Sequence, residues 1–230
     1  MCVGAYLSGK LALYLVPTLG NGILTFAIAL VVGAAAAAVC GIIIGIPALR
    51  LRGDYLAIVT LAFGEIVKSL FQNTSDETFG GALGLPTPRF DKKYLFIIAF
   101  VLVLITLAVV QHFIRSKHGR AVTAIRDNEI AARASGINVT KYKMMAFVTS
   151  AALAGAAGAL FGLNYSSTMA TRFDFNTSIL VLVFVVLGGM GNIRGSVIAA
   201  AALTILPELL REYADYRMLV YAIVLILVML

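Results

Sequence analysis

Tryptophan is absent from the 230 residues, histidine and cysteine occur twice each, and charged side chains make up only 13%. An ordinary soluble domain carries about 25%. Cys2 and Cys40 lie in apolar stretches without redox or metal-ligand spacing, so neither a disulfide framework nor a zinc site is indicated. His112 and His118 flank a basic segment, with no cysteine or carboxylate at ligand spacing on the same helical face. A membrane-embedded protease or metalloenzyme needs such groups inside its spans, so the chain is expected to be no enzyme and to hold no metal or cofactor. What fills the sequence is apolar: 61% hydrophobic residues before the 21 glycines are counted, and a mean hydropathy of +0.98. Disordered chains are poor in apolar residues, and a water-soluble globule of this composition would expose large apolar patches. The composition is that of an integral membrane protein.

The formal charge is +7. Lys and Arg collect in short gaps between apolar runs instead of forming a basic face with interleaved aromatics, so nucleic acid is not an expected partner. A bilayer core of about 30 Å takes roughly 20 apolar residues as helix. That length predicts spans at 22–48, 55–71, 94–114 and 144–163. The further stretch 177–206 is interrupted by Gly188-Gly189-Met190-Gly191-Asn192-Ile193-Arg194-Gly195 and reads as two segments meeting at a turn. The runs 3–16 and 218–230 are short for full spans. The second stops at Leu230 without a polar flank, so the chain is expected to be truncated there, with truncation at its start left open. No basic n-region or small-residue cleavage site marks a signal peptide.

The segment 115–143 carries Arg115, Lys117, Arg120, Arg126, Arg133, Lys141 and Lys143 against Asp127 and Glu129. Placing it in the cytoplasm brings Arg50, Arg52 and Arg194 inside by parity, and puts 73–93, 164–176 and 207–217 outside. This matches the positive-inside rule. The spans are rich in small residues, with Gly41/Gly45 and Gly158/Gly162 at the four-residue spacing that lets helix backbones approach in lipid; the alternative is a surface along which helices slide.

Gly4-Ala5-Tyr6-Leu7-Ser8-Gly9-Lys10 has phosphate-loop spacing, but Leu11 stands where a hydroxyl should hold magnesium and no strand precedes it, so no nucleotide site is expected. Glu65 and Lys68, three residues apart within a span, are possible intramembrane functional charges; the alternative is a lysine snorkelling to the interface. Between Ala121 and Ile137 helix formers dominate, and Gly136 reads as a C-cap. On one continuous helix Glu129, Ala132, Arg133 and Gly136 would share a small, shallow face suited to docking in a groove of another protein. A solvated helix that only sets topology is the rival reading.

Ala131-Ala132-x-x-x-Gly136, preceded by a glutamate, resembles the E-A-A-x-x-x-G cytoplasmic motif of ABC importer permeases. Gly119-Arg120-Ala121 through Ala146-Phe147, Gly53-Asp54-Tyr55 through Phe63, Val186-Leu187-Gly188-Gly189-Met190-Gly191 and Pro207-Glu208-Leu209-Leu210 are similar to LivM-type branched-chain amino acid permeases, in order along nearly the whole chain. Departures are Ile130 where the general motif has glutamate, the absent Ile-x-Leu-Pro ending, and Phe79 where the family usually has threonine before the paired glycines.

The resemblance implies an all-α, polytopic transmembrane helix bundle, residues 1–230 forming one permease domain with 115–143 as its coupling loop. It implies a subunit of an ATP-driven importer in the bacterial cytoplasmic (inner) membrane, with branched-chain amino acids as cargo and urea or short amides as competitors. The implied partners are a second permease of LivH type, two cytoplasmic ATP-binding subunits that hold ATP and magnesium, and a periplasmic or extracellular substrate-binding protein. Coupling to the ATPases would fall on Glu129, Ala131, Ala132, Arg133 and Gly136. The rival from another class is a self-contained channel or secondary transporter gated by Glu65 and Lys68.

Overall fold

A computed structural model describes residues 1–20, 22–51, 54–88, 90 and 92–209. The run 218–230, Arg52, Gly53 and Leu210 lie outside them. The described residues are mostly helical, as expected of an α-bundle: α1 (Cys2–Leu19), α2 (Ile23–Ala48), α3 (Asp54–Asn73), α4 (Asp76–Phe79), α5 (Lys92–Arg115), α6 (Lys117–Asp127), α7 (Glu129–Ala134), α8 (Val139–Leu163), α9 (Phe175–Leu187) and α10 (Ile193–Leu209). Stretches 23–48, 93–115, 139–163 and 170–187 are helical, long and apolar enough to cross a membrane. The chain forms two compact units, Met1–Phe173 and Asp174–Leu230.

The centre of the first unit is not one of the expected spans. It is α1, which extends the run 3–16 to 18 residues and packs against both α2 and α8. Ala5, Tyr6, Ser8 and Ala12 are fully buried. The run 3–16 is short for a span, yet two of the polar side chains on α1 find partners within the protein. Ser8 Oγ donates to the Ala5 carbonyl (3.0 Å), and Lys10 Nζ donates to the Thr78 carbonyl (2.5 Å). The phosphate-loop spacing is therefore part of a helix, whose amides are committed to the helical ladder.

Small residues allow this packing. A side chain at Gly4 would run into the Gly155 backbone, and one at Gly33 would sit 2.8 Å from the Gly4 carbonyl oxygen. Gly41 faces Ala151, Gly45 faces Met144 and Phe147, and Gly162 faces Ala5 and Thr168. The four-residue glycine spacing is thus used at helix–helix contacts, where missing side chains bring backbones together.

At one end of this unit, β1 (Leu85–Pro86) pairs antiparallel with β2 (Ser167–Thr168) in the register Leu85↔Thr168. Thr87 Oγ1 adds a bond to the Tyr165 carbonyl (2.5 Å). The segments before α5 and after α8 are thereby joined. In the second unit α9 and α10 meet at a turn in which Gly189 (φ 89°) and Gly191 (φ 90°) adopt left-handed backbone. Asn192 Oδ1 accepts from the Gly195 amide (3.3 Å), capping α10. The interruption at 188–195 is the expected reversal.

Candidate functional site

The expected continuous helix through 121–136 is two helices broken at Asn128. Ser116 starts α6 by accepting from the Gly119 amide (3.1 Å). Gly119 is required there, because a Cβ would strike the Phe113 carbonyl. Asn128 ends α6 and caps α7, its Oδ1 accepting from the amides of Ile130 (3.1 Å) and Ala131 (3.0 Å). An asparagine that satisfies two orphan amides is a strong N-cap, strong enough to restart the helix in a new direction. Helical periodicity alone carries no sign of that break.

Helix α7 has six residues and closes with a Schellman turn. The Ile137 amide donates to the Ala132 carbonyl and the Gly136 amide to the Arg133 carbonyl, both at 3.1 Å, with Gly136 at φ 81°. This is the capping pattern that favours glycine. Ile137 also packs beside Ala132 in a cluster with Ile125, Val139 and Tyr142.

The break redistributes the proposed face. Ala132 is 5% exposed and turns into that cluster, whereas Ile130 is 83% exposed; Ala131, Arg133 and Gly136 are also exposed. Glu129 is partly covered and braced: Oε1 accepts from Arg133 Nη2 (2.9 Å) and Oε2 from Lys143 Nζ (2.7 Å). The second bond ties α7 to the first turns of α8. The exposed side of α7 is thus Ile130, Ala131 and Arg133, while Glu129 and Ala132 fasten the helix from beneath. Sequence reading missed Ile130, Asn128 and Lys143. The Asn-x-x-Ala step at 128–131 could have signalled the cap, but Lys143 lies across a turn, where spacing is silent.

Glu65 and Lys68 both lie on α3 and form an ion pair at 3.3 Å, with Glu65 52% and Lys68 17% exposed. The outer motif Thr78-Phe79-Gly80-Gly81 uses its unexpected phenylalanine internally. Phe79 packs edge-on to Phe71 (5.3 Å) and Tyr6 (6.2 Å) and lies under Lys10 Nζ (4.6 Å). Gly80 and Gly84 follow with φ of 77° and 85°, so this turn is built by glycine backbone and an aromatic cluster. No group of three or more His, Cys, Asp or Glu able to hold a metal occurs among the described residues.

A family model described as the permease component of branched-chain amino acid transport systems matches residues 1–229. The chain belongs to that family. This permease is 38% identical to the high-affinity branched-chain amino acid transport system permease protein LivM of Salmonella typhimurium, over 84% of its own length and 52% of the relative's. Identity to LivM of Escherichia coli K12 is likewise 38%, over 84% and 53%. The ribose import permease protein RbsC of Escherichia coli K12 is 30% identical over 97% of this chain and 73% of its own. No solved structure matches. The permease spans about half the length of the LivM relatives. Family and apolar helices together make it a multi-pass membrane protein.

Proposed function

We propose that this chain is a membrane-spanning subunit of an ATP-driven ABC importer that carries leucine, isoleucine and valine inward across the bacterial cytoplasmic membrane. The observation that carries the reading is the braced six-residue helix α7, presented on the most basic segment of a chain 38% identical to LivM. Segment 115–143 is cytoplasmic in this reading, and Ile130, Ala131 and Arg133 meet an ATPase subunit.

The partners are two cytoplasmic ATP-binding subunits, a second permease and an external substrate-binding protein. The relative named LivH in Methanocaldococcus jannaschii, 27% identical over 66% of this chain, supports a permease pair. ATP and magnesium belong to the ATP-binding subunits. Closure of the ATPases displaces α7; the Glu129–Lys143 bond and the Ala132 cluster pass that displacement to α8; and α8, interlocked with α1 and α2, moves as a body. Rigid-body rocking of this kind is a general route to alternating access.

The test is reconstitution of the co-expressed assembly in liposomes. ATP-dependent uptake of leucine by the assembly, with neither uptake nor ATP hydrolysis by the chain alone, is the expected result. Selective flux through the lone chain would establish a channel or secondary transporter instead. The likeness to RbsC supports a second reading, a sugar as cargo, so ribose is assayed beside leucine and urea.

A further inference from the structure

On α3 the residues Ala62, Glu65, Ser69 and Asn73 recur every three or four positions, which places them along one helix face, and all four are exposed. The helix is 20 residues long, about 30 Å at 1.5 Å per residue. Glu65 lies eight residues before Asn73, about 12 Å from that end of the helix. A carboxylate at this depth cannot face hydrocarbon cheaply; such groups line water-filled paths or meet protein. Among the described residues Glu65 remains 52% exposed although it is paired with Lys68.

We infer that this stripe faces the substrate path and that the Glu65–Lys68 pair is a subsite for the zwitterionic head of an α-amino acid. The inference rests on the importer reading above and extends it to substrate recognition. An α-amino acid carries its ammonium and carboxylate on a single carbon. The substrate parts the 3.3 Å pair, its ammonium meeting Glu65 and its carboxylate meeting Lys68. Small and polar neighbours, Ala62 and Ser69, leave room beside the carboxylate. A neutral sugar or urea offers neither charge and gains nothing from the pair. Because a charge stripped of its partner at such a site is costly, the pair also disfavours uncharged cargo.

The experiment uses the assembled importer in proteoliposomes, in a background lacking Cys2 and Cys40. Ala62→Cys and Ser69→Cys, about one turn to either side of Glu65, are exposed to a membrane-impermeant thiol reagent. Both are expected to react and to be protected by leucine delivered with the binding protein, but not by ribose. Glu65→Gln is expected to raise the KM for leucine about tenfold or more while ATPase subunits are retained and ATP hydrolysis remains. The charge-exchanged double variant Glu65→Lys/Lys68→Glu should recover part of that loss. Two unreactive cysteines, or reactive ones without leucine protection, would mean that this face packs against a neighbouring helix, and the subsite would be withdrawn. An unchanged KM in Glu65→Gln would overturn it equally. If the unsubstituted assembly takes up no leucine, the importer reading itself fails.

Discussion

Gly136 and Glu129 illustrate how a single residue acts through its backbone or through its partners. A Cβ at Gly136 meets nothing within 4 Å, but the residue sits at φ 81°. The cost of a side chain at this position is therefore, within this chain, conformational alone. Gly136→Ala should cost about 1 kcal/mol, which loosens the Schellman turn and speeds amide exchange at Ile137 roughly fivefold. Gly136→Asn should cost less, since asparagine tolerates left-handed backbone. Hydrogen-exchange mass spectrometry over 129–138 measures both, and equal effects would deny the backbone origin. Glu129→Gln removes one charge from two ion pairs at once. Partly exposed pairs contribute up to about 1 kcal/mol, so exchange in α7 should rise while the α1–α2–α8 contacts stay protected. If exchange within α7 is unaffected, the brace to Lys143 carries no stability.

At the scale of elements, three helices are interlocked through residues without side chains. A Cβ at Gly155 would sit 2.8 Å from the Gly33 carbonyl oxygen and overlap Ala37. Overpacking typically costs about 1–3 kcal/mol, and a leucine here meets backbone, which cannot rotate aside. Gly155→Leu should lower the unfolding temperature of the purified protein by several degrees or prevent its accumulation in the membrane. Gly64→Ala on α3 is the contrasting case: nothing lies within 4 Å of its Cβ, and replacing a mid-helix glycine recovers up to about 1 kcal/mol of helix propensity. A differential scan of the two variants that ranks them in the opposite order would contradict the interlocked arrangement.

For the whole molecule, sidedness joins charge to tertiary contact. The β1–β2 pairing holds the 85–86 and 167–168 segments together, so both must emerge on one face of the bilayer. Helices α5, of 24 residues, and α8, of 25, then carry the chain to the opposite face, where α6 and α7 lie. Cysteine at Leu83, which is 77% exposed, should react with an impermeant thiol reagent in intact cells. Cysteine at Lys117 should react only after the membrane is opened. The reverse pattern would invert the topology and remove α7 from reach of any cytoplasmic ATPase.

Hydropathy and charge clustering were sufficient for membrane class, helix bundle, the position of the long spans and the basic side of the molecule. These are properties of transfer from water to lipid, summed locally over about 20 residues. The importer family was legible in short motifs, above all Ala131-Ala132 and Gly136 with their preceding glutamate. Three features were decided only by tertiary structure. Helix α1 is central although its Ser8 and Lys10 depress its hydropathy, because burial in protein offers hydrogen-bond partners that lipid does not. The basic segment bends at Asn128 because a side-chain cap outcompetes helix continuation, a local contest that periodicity cannot register. Glu129 is braced because Lys143, fourteen positions away, is brought to 2.7 Å by the turn between α7 and α8, and distances across a turn are set by packing, not by order in the chain.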